Sequence, residues 1–278
     1  MELCTDSMRV VKSQLSHCLS LFEAMSEAGR PYRLTDLAAR LDMPKSSVQR
    51  LLDHLIAEGW AEQDAATGHY ALTLRLAVLG QRYMQSAGLC DVTQAILERV
   101  ARATGELARL AVVDQRQLVW IGSAQGAPAG LLYQPSMGQR IVSFATANGK
   151  AWLSTLDDAA ASAIALGDGL SRKRAPLGPN AMTTLEALLK DLAAVRRRGF
   201  ALADEEAESG VAAVAVPIRD PATGHALGTT SVAGPVMRFT PARRVGFARI
   251  LTVAAQELAQ VWPLRERAQL RPAEQRAR

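Results

Sequence analysis

Between residues 34 and 60 the apolar positions fall into two short helical rhythms with a break between them. Leu37, Ala38 and Leu41 form one face of the first, and Val48, Leu51, Leu52 and Leu55 repeat at the i, i+3, i+4, i+7 spacing of the second. Asp42, Met43 and Pro44 separate them; Pro44 cannot extend the helix before it but suits the start of the next, where no N–H is needed. An earlier stripe of Leu15, Cys18, Leu19, Phe22 and Met25 predicts a helix over 13–28, ended by Gly29 and Pro31. Thr35 stands where an N-cap would, with Asp36 in the first turn. After Gly59, residues 60–63 and 69–72 read as two short strands around a loop containing Gly68. Three helices and a hairpin in this order predict a winged helix-turn-helix within 1–75.

Beyond residue 75 the pattern changes. Leu76, Leu79 and Tyr83 predict a helix over 74–87, in a linker segment spanning 76–90 where Gly88 interrupts. A helix over 91–104 follows, then β-rich runs at 107–113 and 118–123 joined by a polar turn. Further strands are predicted at 140–144, 211–219 and 226–232, and further helices at 146–156, 183–198 and 241–261. Residues 202–210 read as a loop. Helices flanking a mostly antiparallel sheet give an α+β domain over 91–263, and residues 264–278 an Arg-rich disordered tail. A chain of 278 residues fits this division, because single cores seldom grow past about 200 residues.

The polar side of the third helix carries the candidate chemistry of the first domain. Lys45, Ser46, Ser47, Gln49 and Arg50 lie at its start, and Asp53 and His54 further along. Lys45 and Arg50 can neutralise phosphates or bond guanine edges, Gln49 can pair with adenine, and Ser46 and Ser47 can hold the DNA backbone. Gln49 and Arg50 are the candidates for base reading. The formal net charge of +5 agrees with a nucleic-acid partner only weakly, since residues 1–75 hold eight Lys and Arg against ten Asp and Glu. The excess sits at 172–174, at 196–198 and in the tail. So few charges bind weakly, which predicts two or more copies, a homodimer or homotetramer, on a palindromic or repeated double-stranded DNA operator.

Other function classes lose ground residue by residue. Cys4, Cys18 and Cys90 and the four dispersed histidines share no metal-ligand spacing, so no metal site is expected. Apolar runs stay well short of the roughly 20 residues that span a bilayer, and the first residues lack a signal-peptide layout, so a cytoplasmic protein without membrane attachment is expected. Residues 145–150, ATANGK, carry small side chains into a helix start, where free amides and the helix dipole favour an anion such as a carboxylate, although a close-packed turn has the same composition. The Walker pattern is not met, because Ala151 follows Lys150. Asp204, Glu205, Glu206 and Glu208 form an acidic run whose members point in different directions, as in a solvated turn. Neither G-x-S-x-G nor G-x-G-x-x-G occurs, so no enzyme and no cofactor are expected. At this level an enzyme assembled from distant residues and a helix-turn-helix that docks a protein both stay open.

Six stretches in order carry a family resemblance: LTDLAARLDMPKSSVQRLLDHLIAEGW with GHYALTLRLAVLG, then ATGELARLAVVD, GQRIVSFATANGKAWL, RRRGFALADEEAESGVAAVAVPI and TTSVAGP. Together they resemble IclR-type transcriptional regulators. The resemblance implies a winged helix-turn-helix, a linker helix and a GAF-like C-terminal domain that binds a small effector and builds dimers or tetramers. Carried over position by position, it implies an effector pocket at Ala147, Asn148, Asp204, Val211, Ala213 and Ser231. Where relatives that bind small hydrophilic acids have polar groups, this chain has Ala203, Ala213 and Ala233, which points to an effector larger and more apolar than pyruvate, such as an aromatic acid.

Overall fold

The computed structural model describes residues 14–26, 30–86, 91–127, 129–135, 141–171 and 177–261. The chain divides into two compact units, residues 1–86 and 87–278. The helix expected as a linker groups with the first unit; Gly88 and the tail at 264–278 lie outside the described residues.

The first unit runs α1 (Gln14–Ser26), α2 (Leu34–Leu41), α3 (Lys45–Ala57), β1 (Ala61–Gln63), β2 (Tyr70–Leu72) and α4 (Arg75–Ser86). Leu21 and Met25 of α1, Leu37 of α2, and Val48, Leu51, Leu52 and Leu55 of α3 are buried together with Tyr70. The seam predicted for α3 is therefore its core face. Asp42 closes α2 in the left-handed conformation, φ 52°, with its N–H on the Ala39 carbonyl at 3.3 Å. Thr35 does not cap α2. Tyr32 is bridged to Tyr70 through two backbone bonds of 2.8 Å, which keeps the chain extended to Arg33, so the helix begins one residue before Thr35 and Arg33 takes the cap position. In the wing, the Asp64 carboxylate accepts from the Ala66 and Thr67 amides, and these bonds hold its pKa below the usual value. Trp60 ties the wing to its neighbours: the Phe22 ring meets it edge-on at 5.8 Å, and the Arg75 guanidinium lies over it at 4.5 Å.

The second unit runs α5 (Asp91–Thr104), β3 (Leu107–Asp114), β4 (Gln117–Ala124), α6 (Ala147–Leu153), α7 (Asp158–Gly167), α8 (Leu185–Arg198), β5 (Ala201–Asp204), β6 (Val211–Arg219), β7 (Ala226–Pro235) and α9 (Pro241–Val261). The strands form one antiparallel sheet ordered β4-β3-β7-β6-β5. Strand alternation gives the two faces different covers. A Cβ on Gly122, opposite Leu110, would meet Leu97 of α5, and α9 packs with α5 on that side. On the other face Ala201, Ala203 and Ala215 pack against Ala147 and Ala151 of α6 and Val195 of α8.

Two predicted elements change. Residues 141–144 form a turn instead of a strand: the Ala145 and Thr146 amides bond back to the Val142 carbonyl, and the Ser143 N–H donates to Asp168 at 3.0 Å. Ile141 and Phe144 are apolar because they enter the helix-side core, a role that period-2 alternation does not distinguish from a strand. Arg140 lies outside the described residues. Conversely, the segment read as a loop from residue 202 begins as β5, an edge strand paired with β6 from Ala201↔Ala215 to Asp204↔Ala212.

Candidate DNA interface and effector site

On α3 the buried seam leaves Lys45, Ser46 and Arg50 exposed and Ser47 half-buried on the outer side. Pro44 begins the helix, and no side chain caps its first amides. Lys45 and Arg50 make no hydrogen bond or ion pair among the described residues. Gln49 differs from both. Its amide nitrogen donates to Asp53, one turn along α3, at 2.7 Å and its oxygen accepts from the Tyr70 hydroxyl of the wing at 3.1 Å, so both ends of the side chain are held in place by the protein itself. This anchoring sets Gln49 apart from the freely exposed Lys45 and Arg50 as a base reader, since only its second N–H and second lone pair are left for adenine.

The arginine cluster at 196–198 is bonded within its own unit at two of its positions. Arg196 donates to the Ser154 and Leu156 carbonyls and to Asp158, and Arg198 to the Phe200 carbonyl. The cluster at 172–174 lies outside the described residues.

In the second unit, register brings most of the predicted pocket residues to the face beneath α6. Ala203, Ala213 and Ala233 are successive partners across β5, β6 and β7, forming a transverse row of methyl groups. One step along, Ala201, Ala215, Ser231 and Arg109 form the next row. Val211 alternates with Ala213 onto the same face. Asn148 donates to Thr229 at 2.9 Å, which fixes α6 over β7. Thr146 caps α6 by accepting from Gly149 N–H at 3.1 Å. Gly149 is required there, since a Cβ would come within 2.2 Å of the Ser143 carbonyl oxygen. Asp204 departs from the expected set. It follows Ala203 on the strand and so points to the opposite face, where its carboxylate is held by Arg244 of α9.

Two buried cations border this face. Lys150, 1 % exposed, bonds both Glu206 oxygens at 2.7 and 2.8 Å and lies 2.9 Å from Asp191 of α8. Burial nevertheless pushes the Glu206 pKa up, because desolvation outweighs the attraction of Lys150 and Asp191 adds repulsion. Arg109, 7 % exposed, has its guanidinium 3.4 Å from the Trp120 ring centroid. Sequence reasoning singled out neither Arg109 nor Trp120. The only available signal was a charged residue inside the apolar strand LARLAVVD.

A helix-turn-helix with a hairpin wing, joined in one chain to a helix-covered antiparallel sheet, defines a winged-helix DNA-binding regulator with a separate ligand-binding domain. The chain belongs to the IclR family of transcriptional regulators: residues 14–65 match the IclR helix-turn-helix domain and residues 81–260 the bacterial transcriptional regulator IclR C-terminal domain. The HTH-type transcriptional regulator BhcR of Paracoccus denitrificans is 33% identical over 81% of this chain and 79% of its own. The acetate operon repressor of Salmonella typhimurium is 30% identical over 88% of each. Among solved structures, an IclR transcriptional regulator from Alicyclobacillus acidocaldarius superposes with a TM-score of 0.75 at 26% identity, covering 89% of this chain and 98% of that one. An IclR homologue from Microbacterium hydrocarbonoxydans, complexed with 4-hydroxybenzoate, shares the fold with a TM-score of 0.72 at 23% identity, over 91% of this chain and all of that one. The protein is thus a transcriptional regulator with a DNA-binding N-terminal and a ligand-binding C-terminal domain. No helix among the described residues is long and apolar enough to cross a membrane.

Proposed function

We propose that Lys45, Ser46, Ser47 and Arg50 of α3 enter the major groove of an operator, with Arg50 reading a base and Gln49 holding the wing in place. The observation that carries this reading is the division of α3 into a buried apolar seam and an outer side whose two cations have no partner among the described residues. The operating form is a homo-oligomer on a repeated or palindromic site. Exposed Leu15 and Leu19 on α1, and Val78 and Leu79 on α4, support that assembly, since an isolated unit would leave these apolar groups in water.

The effector of the C-terminal domain is an organic carboxylate with an apolar, aromatic body. The row Ala203–Ala213–Ala233 supports this, because a small polar acid set against three methyl groups would leave its own hydrogen-bonding groups unpaired. Binding alters DNA affinity to the extent that the ligand favours one arrangement of the paired winged domains over another. Repression or activation then follows from where the operator lies relative to the promoter.

Mobility shifts of upstream intergenic DNA test both halves. Retardation should weaken steeply as salt is raised, by the release of counterions from phosphates. Benzoate or 4-hydroxybenzoate should change the shift and pyruvate should not. Absence of specific retardation would overturn the DNA assignment, and a response to pyruvate alone the effector assignment.

A further inference from the structure

Arg109 is a buried cation that meets no carboxylate among the described residues. Lys150 is met by Glu206 and Asp191, and Arg238 by Glu106, yet the Arg109 guanidinium forms no hydrogen bond or ion pair among the described residues. Desolvation lowers its pKa to about 10, so the guanidinium remains protonated at neutral pH. The group exerting charge on it is the Tyr133 phenol, itself pushed up to about 12, chiefly by burial and then by Glu208. Directly across the β3–β7 pair from Arg109 stands Ser231, 1 % exposed, whose hydroxyl has no hydrogen-bond partner. Side chains opposite one another on an antiparallel pair have Cβ atoms about 5 Å apart. A residue with a desolvated guanidinium, its head laid on Trp120 of β4, and a residue with an orphaned hydroxyl on β7 therefore stand side by side on one face of the sheet, next to the row of alanines.

We propose that Arg109 is the residue that captures the acid group of the effector, with Ser231 donating a second bond, while the apolar body of the ligand lies over Ala233, Ala213 and Ala203. This rests on the carboxylate-effector reading above and assigns the charge and orientation that it left open. The planar guanidinium fork matches a carboxylate bidentately, and Trp120 fixes the plane of the fork before the ligand arrives. A chain that buries a cation unpaired gives up stability that a bound anion restores.

Full-length wild type and Arg109→Met are compared by calorimetric titration with benzoate, its neutral amide benzamide, and pyruvate, and by thermal melting without ligand. Wild type should bind benzoate at least about tenfold more tightly than benzamide, the ratio expected when a charge-assisted pair is lost. In Arg109→Met that preference should vanish. The ligand-free variant should melt no lower than wild type, and as much as about 2–4 °C higher, because the uncompensated charge has gone. Arg109→Lys serves if the Met variant does not fold; it should keep the preference for the acid with weaker binding.

A variant that binds benzoate as tightly as wild type, or melts far below it, overturns the role of Arg109 and leaves the effector reading standing. Wild type that binds pyruvate alone, with binding lost in the variant, overturns the aromatic class and keeps Arg109 as the anchor. Wild type that binds neither acid overturns the effector reading and the anchor together.

Discussion

Lys150 and Arg109 border the same helix-covered face of the sheet and are both more than nine-tenths buried, yet their surroundings are opposite in kind. Lys150 is enclosed by two carboxylates, one from α8 and one from the segment after β5, and so ties three parts of the unit together. Arg109 rests on an indole ring beside a hydroxyl without a partner. Removing one member of a satisfied buried network leaves other charges stranded, whereas removing an unsatisfied charge relieves a cost. The first arrangement contributes stability, and the second leaves a guanidinium without a carboxylate among the described residues, the position proposed above for the acid group of the effector.

The largest effect should come from breaking the satisfied side. Lys150→Met leaves buried Glu206 without its cation and facing half-buried Asp191, which keeps only Arg198 at 3.5 Å, and should lower the unfolding free energy by about 3–5 kcal/mol in urea denaturation of the full chain. Set beside the unchanged or raised melting expected for Arg109→Met, this gives two buried cations whose removal acts in opposite directions. A Lys150→Met variant as stable as wild type would erase the contrast.

The same distinction runs along α3. Arg50 has no partner among the described residues, so Arg50→Ala should leave thermal stability nearly untouched while weakening specific DNA binding by about 1–3 kcal/mol, read in a mobility-shift titration. Gln49, bonded to Asp53 and Tyr70, belongs with Lys150. Gln49→Ala should cost about 1 kcal/mol of stability, with weaker DNA binding that is uniform across operator variants. Loss of discrimination at a single base pair in Gln49→Ala would return Gln49 to the base-reading set.

Legibility followed the range of the interactions. The seam of α3 and the wing hairpin could be read directly, because helical spacing and a Gly-containing turn are local properties of LLDHLIA and DAATGHY. The row Ala203–Ala213–Ala233 was legible only as three departures from a family pattern; its geometry is a matter of register between β5, β6 and β7. Asp204 was misplaced because a one-residue step along a strand reverses the face, and the segment had been read as a loop. The turn at 141–144 resembled a strand because its apolar residues serve a core reached through tertiary packing. Alanine-rich α7 shows little helical contrast between its faces and was not predicted; the Asp157 cap, accepting from Ala160 N–H at 2.7 Å, was the local signal. Arg109 could not be weighed from sequence at all. Its meaning lies in the absence of an anion among the described neighbours, which come from other strands.

The smallest effect expected is a slope, and it tests how complete the compensation at Lys150 is. Burial raises the Glu206 pKa above its ordinary value in the folded chain, despite two bonds from Lys150. A carboxyl raised on folding binds its proton more readily in the native than in the unfolded state. Between the ordinary carboxylate value and the raised one, stability from this group therefore falls as pH increases; below that window its full contribution is present, and above it the contribution is lost. Glu206→Gln carries no such titration. The stability of wild type relative to Glu206→Gln, measured by urea unfolding across the acidic range, should decline as pH rises through the window and then level off. A difference rising with pH would mean that Lys150 and the backbone overcompensate the burial of Glu206, and that the network is held by charge pairing more strongly than its desolvation implies.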